Sequence, residues 1–169
     1  METHYSGPLY VHYHEAHFTV IGKSLCTEAF RGQSNGICGA AAPNQLTLRF
    51  GAHTGRVNIS VLLSETEPPL NESWDEIVEV PLVVDPSIHL SLMDFNGDPW
   101  GDDVSFEAGT YRARFSAKNF ADDEVPLSEI GGLTDSAQRY ELIIWPSPPH
   151  RDTVLKITSS LARHYHSAQ

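Results

Sequence analysis

The chain has 169 residues, 40% of them hydrophobic, a composition that excludes a disordered protein and predicts a single domain over residues 1–169. It carries 22 acidic and 11 basic residues, for a formal net charge of −11. This charge argues against a protein that binds nucleic acid by neutralising phosphates, and it favours a basic protein as partner.

The first 20 residues are polar and rich in histidine, without the basic and apolar regions of a secretory signal. The uncharged stretch at residues 36–48 is interrupted by Gly39 and Pro43 and does not predict a membrane helix. Two cysteines, Cys26 and Cys38, do not make a disulfide framework. We therefore expect a cytoplasmic protein with reduced thiols and no membrane contact, as a monomer or a small homo-oligomer.

Alternation of apolar and polar residues predicts most of the strands along the chain. The runs lie at residues 10–21, 45–50, 56–63, 76–84, 88–93, 110–118 and 139–145. Pro81 lies inside one of them and places that strand at a sheet edge or a bulge. No amphipathic helix separates the runs before residue 150. The pattern predicts an all-β protein, an antiparallel β-sandwich, and does not distinguish jelly-roll from immunoglobulin-like topology.

The end of the chain has a different periodicity. Asp152 and Thr153 have the chemistry of a helix N-cap. Apolar side chains then recur at a helical spacing, at Val154, Ile157, Leu161 and Tyr165. This spacing predicts a short C-terminal helix at about residues 153–165, packed on the sandwich.

Three basic residues share one face of the strand predicted at residues 110–118, namely Arg112, Arg114 and Lys118. Opposite charges on neighbouring strands stabilise a sheet when they face each other. We therefore expect ion pairs between this face and Glu76 or Glu79.

A cluster of histidines lies near the start of the chain, in residues 11–18 (VHYHEAHF). On a strand, His12 and His14 would project from the same face, close enough to share a metal ion. Neutral imidazole suits zinc, and the third ligand would come from Glu15, His4, His164 or His166. A zinc-binding protein or a metal-dependent enzyme is therefore one alternative. The other interpretation is an edge strand whose histidines face solvent.

Residues 94–98 (DFNGD) place oxygen atoms at alternate positions, as at the start of a calcium loop, and Asp102 and Asp103 would add further ligands. The pattern then departs from an EF-hand, which has Gly and Glu where this chain has Pro99 and Ser105. A turn between two strands, with Asn-Gly at its centre, accounts for the same residues without calcium.

Two tryptophans lie beside carboxylates, an arrangement that is typical of protein-binding surfaces. Aromatic rings supply desolvated anchors, and carboxylates attract a basic partner. The predicted partner-binding residues are Trp74, Asp75, Asp98, Trp100, Asp102 and Asp103. The other interpretation is that both rings close the ends of the sandwich core.

The sequence contains none of the common catalytic motifs, whether GxSxG, SxxK, HExxH or paired CxxC. Cys38 lies among small residues and is predicted to be a buried, inert thiol. We therefore expect a binding protein rather than an enzyme. A further alternative is a ligand- or carbohydrate-binding sandwich that uses Trp74, Trp100 and Trp145.

Three stretches carry a resemblance to a known family: residues 51–61 (GAHTGRVNISV), 74–82 (WDEIVEVPL) and 106–115 (FEAGTYRARF). Over about residues 45–146 the chain resembles small bacterial nuclease inhibitors of the competence protein J type. The resemblance implies a β-sandwich that binds and blocks a partner protein, usually a nuclease encoded by a neighbouring gene. It also implies an inhibitor or immunity factor as the class of function.

Overall fold

The computed structural model describes residues 1–121 and 135–169, and these form eleven strands and one helix. The strands are β1 (Glu2–His12), β2 (Glu15–Thr19), β3 (Cys38–Gly39), β4 (Gln45–Arg49), β5 (Thr54–Leu63), β6 (Glu76–Val84), β7 (Ile88–Met93), β8 (Pro99–Phe106), β9 (Gly109–Lys118), β10 (Asp135–Pro146) and β11 (Thr153–Lys156). The helix is α1 (Ser160–Ser167). Among the described residues no helix is long and apolar enough to span a bilayer.

The strands belong to one sheet that folds into two layers. The first layer has the order β11-β6-β9-β10-β5-β1, and the second has the order β8-β7-β2-β4-β3. The chain passes from one layer to the other at the turn between β1 and β2, where His12 pairs with Glu15. Among the described residues, apart from this turn, β1 pairs with β5 alone, and β8 pairs with β7 alone. Both layers thus end on the same side of the molecule with an open strand edge.

The alternating side chains of both layers meet in one hydrophobic core. Phe50, which follows β4, packs edge-on against Phe115 of β9 and Tyr140 of β10, with ring centroids 5.8 and 4.6 Å apart. Each ring is fully buried. Burial of such rings stabilises the fold by about 1.5–3 kcal/mol each. The prediction of an all-β protein with a short C-terminal helix is confirmed.

One pairing departs from the antiparallel pattern. β10 is antiparallel to β9 and parallel to β5, so the sheet is mixed. The first layer is therefore not built from hairpins alone, and strand partners far apart in the chain meet at its centre. Pro81 behaves as predicted, since β11 pairs with β6 only at Ile77, Val78 and Glu79 and leaves the edge beside Pro81 free of this strand.

The C-terminal helix is shorter and later than predicted. Thr153–Lys156 is a strand on the edge of β6, and α1 begins only at Ser160. Ser159 is the N-cap, and its side chain accepts a hydrogen bond from the amide of Ala162. The predicted cap, Asp152, instead accepts hydrogen bonds from Ser34 and Asn35. Only the second half of the predicted segment is helical, because the first half pairs with the free edge of β6 as a strand.

The outer face of the first layer carries a buried ion cluster. The carboxylate of Glu79 accepts from the Nε atoms of Arg112 at 3.0 Å and Arg114 at 2.8 Å. All three side chains are 10% exposed or less. The prediction of cross-strand pairing is confirmed for Glu79. Glu76 is buried elsewhere and accepts from the backbone of Thr158 and Ser159.

The outer face of the second layer has a buried histidine. His17 of β2 is 4% exposed, and its Nδ1 lies 3.4 Å from the hydroxyl of Thr47 on β4. Burial lowers the pKa of His17 to about 4, because the charged ring would lose its hydration. The ring is therefore neutral at physiological pH.

Candidate aromatic and acidic binding surface

The turn between β1 and β2 is made by two residues in a left-handed conformation, Tyr13 (φ 51°) and His14 (φ 63°). Such a turn matches the twist of the strands, but it normally uses Asn-Gly, because other residues are strained there. The backbone is held in place by hydrogen bonds from His14 N to His53 O (3.0 Å) and from Phe50 N to His14 O (2.8 Å). Strain of this kind is concentrated at functional sites.

Five rings from three segments meet at this turn, and we call them the aromatic tip: His12, Tyr13, His14, His53 and Phe95. Tyr13 lies at the centre, with its centroid 4.2 Å from His12, 5.2 Å from His53 and 5.3 Å from Phe95. Tyr13 is 57% exposed and Phe95 is 37% exposed. The tip therefore presents a contiguous aromatic surface to solvent.

A rigid loop holds Phe95 in this position. Asp94 is 4% exposed, and its carboxylate accepts from the amides of Asn96 (2.9 Å) and Asp98 (3.0 Å) and from the indole N–H of Trp100 (3.1 Å). These bonds fold residues 94–98 into a tight turn that leaves Phe95 exposed. The carboxylate of Asp94, the first residue of the predicted calcium loop, thus already accepts three hydrogen bonds from N–H groups of the protein.

The loop and the following strand supply an acidic rim, which consists of Asp98, Asp102 and Asp103. All three are exposed. Asp103 lies 3.4 Å from His89, whereas Asp98 and Asp102 have no ion-pair partner in the described part of the chain. No Lys or Arg occurs in residues 1–22 or 86–111, which build β1, β2, β7, β8 and this loop. The side of the molecule formed by β1 and β8 is therefore acidic.

The six predicted partner-binding residues do not form one surface. Asp98, Trp100, Asp102 and Asp103 lie together on the loop and on β8. Trp74 and Asp75 lie in another region, where Asp75 accepts from Lys118 Nζ at 2.7 Å and from the amide of Asn119 at 2.9 Å. The hydrogen bond from Lys118 and the neighbouring charges hold the pKa of Asp75 below its usual range. Its role in the fold is to join the start of β6 to the end of β9.

None of the three tryptophans is a fully exposed platform of the kind that a carbohydrate-binding site needs. Trp145 is 3% exposed and stacks on the guanidinium of Arg114, 5.1 Å from the ring centroid. Trp100 and Trp74 are half-buried. Their rings lie on different parts of the fold, so the described structure does not bring the three together.

The zinc prediction assumed that His12 and His14 project from the same face of one strand, and the structure places them differently. β1 ends at His12, and His14 belongs to the turn, so the two histidines do not share a strand face. His12 Nδ1 is 2.9 Å from the hydroxyl of Thr54, and His14 Nδ1 is 3.1 Å from the carbonyl of Gly51. Among the described residues no three His, Cys, Asp or Glu side chains are grouped so that they could hold a metal ion.

Cys38 lies in β3 and is fully buried. Burial, together with the charge of Asp152, raises the pKa of its thiol far above the ordinary value. The thiol stays protonated at physiological pH, and a protonated thiol is a poor nucleophile.

Sequence reasoning missed three members of the aromatic tip. Tyr13, His53 and Phe95 lie in three separate loops, and only the folded chain brings them into contact. One signal was available, since Phe95 is an aromatic residue within an acidic turn. The prediction chose Trp100 instead as the exposed ring of this loop, and its indole N–H is directed at Asp94.

No family model matches the chain, and no curated protein matches it. Two solved structures share its fold. Crocagin biosynthetic gene J superposes with a TM-score of 0.51 and 14% identity, over 88% of this chain and 100% of that one. ComJ from Bacillus subtilis, an inhibitor of the DNA-degrading activity of NucA, superposes with a TM-score of 0.50 and 16% identity, over 86% and 98%. They confirm at the level of the fold the resemblance carried by residues 51–61, 74–82 and 106–115.

Proposed function

We propose that the chain is a non-enzymatic binding protein that blocks a basic partner protein, and that the aromatic tip and the acidic rim make the contact. The observation that carries this proposal is the exposed pair of Tyr13, on a strained turn, and Phe95, on the neighbouring loop. Beside them lie Asp98 and Asp102, which have no ion-pair partner in the described part of the chain. Aromatic anchors with a polar rim are the usual composition of protein-binding hot spots.

The acidic rim supports a basic partner in particular. A net charge of −11 attracts cationic surfaces over about one Debye length, ~8 Å at physiological salt. Exposed charges of this kind raise the rate of association, whereas buried anchors set the lifetime of the complex. Asp98 and Asp102 thus steer the partner, and Phe95 and Tyr13 retain it.

The fold supports an inhibitor as the more specific role. ComJ, which has this fold, inhibits the DNA-degrading activity of NucA. Nucleases expose basic surfaces, since they bind phosphates. We infer that the partner here is a nuclease, and that the chain acts as an inhibitor or immunity factor in the bacterial cytoplasm.

The test is affinity capture of partners from the native cell, followed by an assay of the captured protein. The immobilised chain is exposed to cell extract with and without chelator, and each captured protein is tested for DNA cleavage in the presence of increasing amounts of the free chain. We expect one basic nuclease whose cleavage stops at a stoichiometric amount. Capture of proteins whose activity the chain never changes would contradict the inhibitor role.

The variant Tyr13→Asn is expected to separate binding from stability. Asn tolerates the left-handed conformation better than Tyr, so relief of strain stabilises the fold by about 0.5–1 kcal/mol. Loss of a hot-spot ring weakens partner binding by about 2 kcal/mol, or roughly 30-fold. Thermal unfolding and surface plasmon resonance measure the two effects.

The matched control is Leu25→Ser, which removes an apolar side chain that is 42% exposed outside the aromatic tip. It should leave the affinity within about twofold, as substitutions outside a hot spot do. If Tyr13→Asn binds the partner like the parent chain, the aromatic tip is not the anchor.

A further inference from the structure

A concave surface lies at the end of the sandwich opposite to the aromatic tip. It forms where β1 begins and where β5, β8 and β10 end, and its volume is about 560 Å³. Volumes of 300–1,000 Å³ are typical of sites that accept a ligand or a short segment of chain. We call it the acidic groove, and its lining includes Glu2, Leu63, Glu65, Thr66, Glu107 and Tyr111.

The floor of the groove is apolar and aromatic. Phe106 and Ile144 are buried beneath it, and Leu63 and Tyr111 are partly buried against the core. The ring of Tyr111 packs edge-on against Phe106 with centroids 5.2 Å apart, and its hydroxyl donates to the carbonyl of Glu107 at 2.9 Å. The floor is thus a fixed surface on which an aliphatic stem can lie.

The charged side chains that line the groove are all acidic. Glu2, Glu65 and Glu107 are exposed, and none of the lining residues is Lys or Arg. The α-amino group of Met1 is the one cationic group among the described lining residues. Glu107 is oriented by the hydroxyl of Ser87, which donates to its Oε2 at 3.1 Å. Lys and Arg side chains combine an apolar stem with a charged head, and they match a surface that has an apolar floor and an acidic rim.

We propose that the acidic groove binds an extended cationic segment of a protein, with an Arg or Lys stem on Leu63 and Tyr111 and its charged head between Glu65 and Glu107. The open edges of β1 and β8 border the same side of the sandwich, so the groove is accessible to an extended chain. This site is separate from the aromatic tip, and it does not require the partner to be a nuclease.

The probe is the peptide acetyl-Gly-Arg-Gly-Arg-Gly-amide, titrated into the ¹⁵N-labelled chain, with a citrulline peptide of the same length as the neutral control. We expect chemical-shift changes concentrated at residues 63–66 and 105–111, and none with citrulline. Equal responses to both peptides, or changes confined to residues 94–103, would overturn the proposal.

Paired variants test the charge and the shape of the groove separately. Glu65→Gln with Glu107→Gln should weaken the arginine peptide about tenfold, since each exposed ion pair contributes a factor of about two to five. Glu28→Gln with Glu72→Gln, which makes the same change in net charge outside the groove, should change affinity by less than twofold. Thr66→Trp fills the groove without a change in charge and should also abolish binding.

Equal weakening by the two double variants would mean that net charge alone attracts the peptide, and it would overturn the groove as a site. The aromatic-tip variant Tyr13→Asn should bind the peptide like the parent chain. Failure of this proposal therefore leaves the proposed function untouched, and loss of partner binding in Tyr13→Asn leaves the groove untouched.

Discussion

Replacement of Glu79 by Gln is expected to lower the free energy of unfolding by about 3–5 kcal/mol. Glu79 bridges two buried guanidiniums. In the described part of the chain, Gln at this position leaves Arg112 without a carboxylate and Arg114 with only that of Glu67, at 3.8 Å on a side chain that is 71% exposed. The carbonyl oxygens that accept from Arg112 and Arg114, those of Arg151 and Pro68 among them, do not neutralise these charges. Urea unfolding followed by tryptophan fluorescence measures the loss.

The matched control is Glu28→Gln. Glu28 pairs with Arg31 at 3.0 Å, but the two side chains are 59% and 75% exposed. Exposed pairs contribute little, so the change should be about 0.5 kcal/mol or less. Similar losses of unfolding free energy for the two variants would contradict the claim that burial makes the Glu79 ion cluster important for stability.

Acidification from pH 7 to pH 4 is expected to cost the fold about 3 kcal/mol through His17 alone. The pKa of this ring is about 4 in the folded chain, below its ordinary value of 6.5. Between those values the unfolded state binds a proton that the native state does not bind. The contribution of His17 is therefore fully present above pH 6.5 and is lost as the pH falls towards 4.

The variant His17→Gln isolates this contribution, because the amide keeps a polar group near Thr47 and does not titrate. The difference in unfolding free energy between parent and variant should change with pH between 7 and 4, and the parent should lose more. His150→Gln, which changes an exposed histidine, should leave the pH dependence as it is in the parent. Parallel curves for parent and His17→Gln would contradict the buried neutral ring.

Alternation of apolar and polar residues located many of the strands, but it missed β8 and did not show which strands pair. Alternation at residues 56–63, 76–84 and 110–118 predicted β5, β6 and β9 within two residues at each end. The parallel contact of β10 with β5 follows from packing between distant segments, and no local signal encodes it. The same holds for β11, where pairing with β6 overrides a helical spacing.

The candidate site was only partly predictable for a related reason. Asp98, Asp102 and Asp103 are recognisable in the sequence as carboxylates close to Trp100, and the structure places them on one exposed rim. Tyr13 and His14 turn without Asn or Gly, so the usual turn signal is absent and the strand was extended through them. Contact between Tyr13 and Phe95 depends on the two-layer arrangement, which brings β1 close to the β7–β8 loop.

Hydrogen exchange of the complex with the captured partner locates the contact surface on the intact chain. Partner binding is expected to slow exchange at residues 12–15, 53–54 and 94–103, and to leave it unchanged at α1. Slowing confined to α1 and to the outer face around Trp74, with the turn at Tyr13 exchanging as in the free chain, would contradict the proposed contact surface.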